Sequence, residues 1–130
     1  MTATGGIHLK GNIIGFEELE DYVLQDTFGA DSPFRLLKSL QSDIAFVVVN
    51  PYHVVEEYTF DIEDDTLTAL NLTDKDVDRV AVLCIARREK ETVYANLRSP
   101  LLINTEKGLF LQVVLPNEGY PISAPLVKKA

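Results

Sequence analysis

The chain has one cysteine, two histidines and no apolar run approaching the roughly eighteen residues that a membrane span needs. A single thiol, Cys84, excludes an internal disulfide, and its setting among Val, Leu, Ile and Ala predicts a buried, reduced side chain. His8 and His53 lie far apart in sequence, which leaves transition-metal binding without a convergent ligand set. No Lys-rich start precedes an apolar stretch, so the expected location is cytoplasmic. Internal repeats and low-complexity tracts are absent too.

Motifs for chemistry are equally scarce. Gly11 and Gly15 bracket a tight segment, but no Lys-Ser or Lys-Thr follows to make a phosphate loop. Residues 61–65 carry four acids, yet lack the glycine and terminal glutamate of a calcium loop. His53 near Glu56 and Glu57 has no serine or cysteine in a nucleophile turn beside it. Neither an enzyme nor a cofactor is expected.

What is present is β-sheet material. With 130 residues the chain is long enough for one domain over residues 1–130 with its own core. Six apolar residues in succession, Ile44 to Val49, closed by Asn50 and Pro51, read as a strand buried on both faces. Residues 80–86 and 109–115 form two further long apolar strands, and shorter ones are expected over 7–10, 23–26, 58–62, 92–97 and 101–103. Residues 34–40 read as an extended piece or as a two-turn helix, and residues 16–22 as one helical turn or an irregular segment. Asp64 or Asp65 can cap a short helix over 66–70, and Thr73 with Asp76 makes a second helix start. Residues 87–91 read as a charged hairpin loop, Gly108 as a positive-φ turn residue, and the region of Ile122 as strand-like. The fold class is mainly β: a small antiparallel β-barrel-like or two-sheet domain with one or two short helices.

Charge narrows the partners. The formal net charge is -8, and residues 17–78 hold sixteen acids against Arg35, Lys38 and Lys75. Such a field repels a phosphate backbone and draws in basic partners, so direct nucleic-acid binding is not expected. Tyr52, Tyr58, Phe60 and Tyr94 lie near acidic or turn residues, where aromatic rings serve interfaces. A small-ligand-binding β-barrel protein is the alternative, and an enclosed polar-lined pocket would distinguish it.

Taken together, several stretches resemble the FliW flagellar assembly factor family: Gly15-Phe-Glu17, Pro33-Phe34, Leu40-Gln-Ser42, Ala45 to Pro51, Tyr58, Asn96-Leu97 with Pro100, Ile103-Asn104, Gln112 to Leu115 and Tyr120-Pro121. The chain departs from the family pattern at Ile13, where no proline precedes Gly15-Phe16, at Asn50 where Asp is frequent, and at Arg98. The resemblance implies a compact, non-enzymatic protein, monomeric when free. It implies two partners, flagellin and the RNA-binding translational repressor CsrA. Unexported flagellin occupies the protein and leaves CsrA free to repress flagellin translation; export releases the protein to antagonise CsrA. Within the matched motifs, Gly15, Phe16, Asn50, Pro51, Asn96, Pro100, Asn104 and Gln112 are expected to be architectural. Partner contact is expected at Tyr58, Phe60, Asp61, Glu63, Asp64 and Asp65, with Gln41 and Ser42 as further candidates.

Overall fold

The computed structural model describes residues 6–116 and 119–126. Nine strands run in chain order: β1 (Ile7–Asn12), β2 (Asp21–Gln25), β3 (Phe34–Ser39), β4 (Ala45–Val49), β5 (Val80–Glu89), β6 (Thr92–Ala95), β7 (Leu101–Asn104), β8 (Leu109–Gln112) and β9 (Ala124–Pro125). One α-helix, α1 (Asp64–Ala69), and 3-10 turns at Pro51–His53 and Asp74–Arg79 complete the described elements. The expectation of a mainly β, barrel-like fold with few short helices is met.

The strands form one sheet in the order β4-β3-β2-β1-β8-β7-β5-β6-β9, and an additional β4–β5 pairing closes it on itself. Closure removes the open edges that long apolar strands would otherwise present. β5 makes this possible by its length. Residues Val80 to Leu83 pair with β7, Cys84 to Ala86 with β4, and Ala86 to Glu89 with β6.

Strand alternation divides the apolar residues between the inside of the barrel and its outer face. Leu9, Tyr22, Leu37, Val48, Leu101, Ile103 and Phe110 fill the interior. Val49, Tyr58, Cys84, Ala86, Ala95, Leu97, Leu115 and Ala124 make a second cluster, and Leu67, Leu70, Leu72 and Leu102 a third beneath α1. This explains the continuous apolar runs. In β7, Leu101 and Ile103 face the first cluster while Leu102 faces the third, and all four residues of the strand are buried. β4 is fully buried only at Val48 and Val49, and Ala45 at its start is exposed.

Several expectations need correction. The sheet is not wholly antiparallel: β1 and β8 pair in parallel, Lys10 to Leu109 through Asn12 to Leu111. Some ninety residues of intervening chain serve as the crossover, so no dedicated helix is required. β1 runs on through Gly11 to Asn12, beyond the expected 7–10 and into the tight segment that Gly11 opens. A Cβ on Gly11 would sit 2.0 Å from the Phe110 carbonyl oxygen, so the parallel contact needs a residue with no side chain. Of the alternatives left open, the extended reading holds for Phe34–Ser39, with Leu40 outside the strand, and the irregular one for residues 16–20, with Asp21 and Tyr22 already in β2. Arg87 to Glu89 belong to β5, and the turn itself is Lys90-Glu91, with Lys90 at φ 58. The last long strand leaves the regular ladder after Gln112, and the strand-like tail centres on Ala124–Pro125 while Ile122 is exposed.

Residues 58–62, read as a strand, belong to no ladder. Their ordering comes from tyrosine hydroxyls instead. Tyr52 donates to the Tyr58 carbonyl at 3.1 Å, and Tyr120 Oη accepts from the Thr59 N–H and donates to the Thr59 carbonyl, both at 3.0 Å. α1 starts two residues earlier than the expected 66–70, with Glu63 at the cap position making no side-chain cap bond and Asp64 and Asp65 in the first turn instead of capping it. The Thr73 start matches its reading: Asp76 Oδ2 accepts from the Thr73 N–H at 3.0 Å, which holds the Asp76 carboxyl below the usual range. Gly108 takes φ 67, as its turn requires.

Gly11→Ala is expected to lower stability by about 3 kcal/mol, by forcing β1 off β8. Urea unfolding checks this: the midpoint should fall well below that of the unsubstituted protein with little change in slope.

Candidate functional site

The matched asparagines and glutamine act on the backbone. Asn50 Oδ1 accepts from the Tyr52 N–H at 3.0 Å and caps the 3-10 turn that Pro51 opens. Asn96 Oδ1 accepts from the N–H groups of Arg98 and Ser99 at 3.2 and 3.1 Å, ahead of buried Pro100. Asn104, buried, accepts from Glu106 and Lys107 and donates to the Leu70 carbonyl at 2.7 Å, tying the β7–β8 turn to the end of α1. Gln112 accepts from the Ile14 N–H at 2.8 Å and donates to the Ser99 carbonyl at 3.0 Å. Gly15 has φ 93, and Phe16 packs edge-on against Phe46 at 5.2 Å.

Gln41 and Ser42 are engaged in the same way. Gln41 Oε1 accepts from the N–H groups of Glu20 and Asp21 at 2.6 and 3.0 Å, and Ser42 Oγ accepts from the Ile44 N–H at 3.1 Å. Both spend their acceptors on the β3–β4 turn and its neighbour. Exposure alone does not make them contact groups.

Tyr58 is only 1% exposed, so it offers no free face to a partner. Its hydroxyl donates to the Leu97 carbonyl, and Cys84 Sγ donates to that hydroxyl at 3.8 Å. Its ring packs edge-on against Tyr52, Phe60 and Tyr120, with centroids 6.1, 5.3 and 4.7 Å away. Burial, and then the neighbouring thiol, pushes the Tyr58 hydroxyl far above the ordinary tyrosine range. Burial pushes the Cys84 thiol up to about 12. The aromatic anchor predicted beside the acids therefore exists, but it is sunk into the protein to hold them.

What the anchor holds is exposed. Asp61, Glu63, Asp64 and Asp65 all face solvent, and none has an ion-pair partner among the described residues. Phe60 is half-buried, one edge in the second and third clusters. Beside this acidic segment runs an open groove of about 840 Å³, walled by residues 59–63 with Thr66 on one side and residues 113–116 on the other, with Leu102 at its floor. The groove escaped the sequence reading because its walls lie fifty residues apart and share no motif. Tyr120 was quoted only as part of a matched stretch; its clamp on Thr59 is visible only in three dimensions.

Among the described residues no group of three or more His, Cys, Asp or Glu side chains converges to hold a metal ion. No helix among them is long and apolar enough to cross a membrane. Side chains fill the barrel, and the groove lies outside it. Fold and site thus define a closed β scaffold with an exposed set of carboxylates beside a groove.

The comparisons with known proteins give that class a family. The profile of the FliW protein family matches residues 1–126. The flagellar assembly factor FliW of Caldanaerobacter subterraneus subsp. tengcongensis is 32% identical over 124 residues, covering 95% of this chain and 83% of the relative. That of Borreliella burgdorferi strain B31 is 28% identical over 120 residues, covering 90% and 89%. A crystal structure of the flagellar assembly factor FliW superposes with a TM-score of 0.81 at 28% identity, over 99% of this chain and 90% of that one. The chain belongs to the FliW flagellar assembly factor family. Proteins of this family are adaptors and regulators of flagellar assembly, not enzymes.

Tyr58→Phe is expected to cost about 2 kcal/mol, because the Leu97 carbonyl is left without its donor inside the second cluster. A chemical-unfolding midpoint checks it. The buried thiol also sets a pH dependence. Cys84 stays protonated in the fold above its ordinary value of 9.0, while the unfolded chain releases the proton. Its contribution is complete below 9.0 and is lost as pH rises toward about 12, so unfolding midpoints should fall across that window. Cys84→Ala should flatten the part of the fall that begins near 9.0.

Proposed function

We propose that this protein works in the cytoplasm as a flagellar assembly factor that binds CsrA through its acidic face. It thereby opposes repression of flagellin translation and exchanges CsrA for flagellin as export proceeds. The observation that carries the reading is the unneutralised carboxylate set Asp61, Glu63, Asp64 and Asp65 on a segment fixed by Tyr58. A repressor that binds RNA has basic surface to spare, and an acidic partner can engage it without touching RNA. Fixed carboxylates add association rate and orientation, because little ordering entropy remains to be lost on binding. Family membership supports the flagellar setting, and the absence of a spanning helix among the described residues fits a protein that meets both partners in solution.

Charge reversal also disturbs α1, since Asp64 and Asp65 lie in its first turn, where carboxylates favour the helix dipole. The informative variants are therefore paired. Glu63→Lys, Asp64→Lys and Asp65→Lys together should weaken CsrA binding about tenfold or more at low salt. Glu63→Gln, Asp64→Asn and Asp65→Asn together should weaken it less, and both effects should shrink as salt rises. Titration calorimetry with purified CsrA measures this, and circular dichroism checks the fold. Unchanged affinity at low salt sinks the placement; failure of the unsubstituted protein to bind both CsrA and flagellin defeats the role.

A further inference from the structure

Resting on that reading of the protein as a holder of polypeptides, we propose that the groove between residues 59–63 and 113–116 takes an extended, lysine- or arginine-bearing segment by β-strand addition. The first observation is an open strand edge. Beyond Gln112 the chain stays strand-like on one side, with the Val113 and Leu115 N–H groups donating to the carbonyls of Pro100 and Arg98 at 3.1 and 2.8 Å. Alternation turns the intervening Val114 N–H to the opposite side. There β1 has stopped covering β8, its last register pair being Asn12 with Leu111. The Val114 N–H has no acceptor among the described residues, and the side chain is 58% exposed.

The facing wall offers the same resource. The N–H groups of Phe60, Asp61 and Ile62 bond to nothing among the described residues, since this segment is anchored through Tyr58 and Thr59. Both lining segments thus carry main-chain donors that no bond among the described residues uses, and an incoming strand can take up the Val114 donor without breaking any bond already made. Strand addition draws affinity from such main-chain groups and specificity from alternating side-chain positions.

Side-chain chemistry selects the occupant. Phe60, Ile62, Leu102, Val113 and Leu115 line the groove with apolar surface, while Asp61 and Glu63 stand at its rim, with Asp64 and Asp65 next to them. An incoming strand with apolar residues inward and cationic residues outward satisfies both at once. A strand bearing acids outward would face unneutralised carboxylates. The chain has a basic arm of its own, exposed Arg87, Arg88 and Lys90, but Arg87 already pairs with Glu89 at 2.8 Å and donates to Ser123 at 2.9 Å. A separate polypeptide is therefore favoured over a second copy.

The test uses the full chain and an end-capped peptide alternating valine with lysine; the same peptide with glutamate for lysine is the control. Amide hydrogen exchange on the unsubstituted protein should slow at Val114 and at residues 60–62 when the lysine peptide binds, and stay unchanged with the glutamate peptide. Val114→Pro removes the free donor of the 113–116 wall and should weaken binding about tenfold, whereas Val114→Ala should change it less than about twofold. No protection at Val114 in the bound state, or full affinity in a folded Val114→Pro variant, overturns the proposal. So does concentration-dependent self-association that protects Val114 without peptide, which assigns the groove to a second copy. If the peptide docks as described while CsrA and flagellin both fail to bind, the groove stands and the proposed role falls. If CsrA binds undiminished to Val114→Pro and leaves Val114 unprotected, the role stands and the groove falls.

Discussion

A single buried hydroxyl sets the geometry of the candidate interface. Tyr58 donates to the Leu97 carbonyl from inside the second core cluster, and three aromatic rings close around it. A tyrosine suits this position better than phenylalanine because one end contributes apolar area and the other satisfies a carbonyl that the loop before β7 would otherwise leave bare. With Tyr58 pinned, Tyr120 can reach Thr59 from one side and Tyr52 can reach the Tyr58 carbonyl from the other. Residues 59–63 are thus held at the sheet through side chains. The main-chain N–H groups of residues 60–62 are left over.

The same device recurs wherever the chain leaves the sheet. A closed sheet of short strands has many departures, and each exposes main-chain donors that a longer helix would have satisfied internally. Here Asn50, Asn96, Asn104, Gln41 and Gln112 supply the missing acceptors from side chains. Asn104 does so from full burial, and its amide also fastens α1 to the barrel through Leu70. Removing any of them but Asn50 costs more than one average hydrogen bond, since two or three partners lose their match together.

How much of this could be read from residues alone follows from the range of the interaction. Local signals were legible: the runs of β5 and β7, the reciprocal bonds of Thr73 and Asp76, and the turn at Gly108 all depend on neighbours a few positions away. Side-chain-to-backbone roles for Asn50, Asn96 and Asn104 could be inferred because asparagine beside proline or a strand end has few other uses. Long-range pairing was not legible. Nothing in Gly11 or Phe110 announces a parallel contact, and the alternating pattern of residues 58–62 imitates a strand whose ladder partner does not exist. Tyr58 was expected beside the acids and is there, but sequence cannot say that its ring points inward.

That inward turn bears on how an acidic protein can be selective. Sixteen acids between residues 17 and 78 would attract any cation if they were all mobile and solvated. Long-range attraction of that kind raises encounter rates and is blind to the partner's shape. Selectivity needs a short-range element that the wrong partner cannot satisfy. On the proposed reading, fixing residues 59–63 through tyrosine hydroxyls supplies one, because it places carboxylates at defined positions beside the groove. A partner bearing charge but no complementary backbone or apolar surface gains only the screened, long-range part. Two partners that both meet the short-range requirement necessarily compete for it, and such competition would produce partner exchange from one static surface without any change of fold.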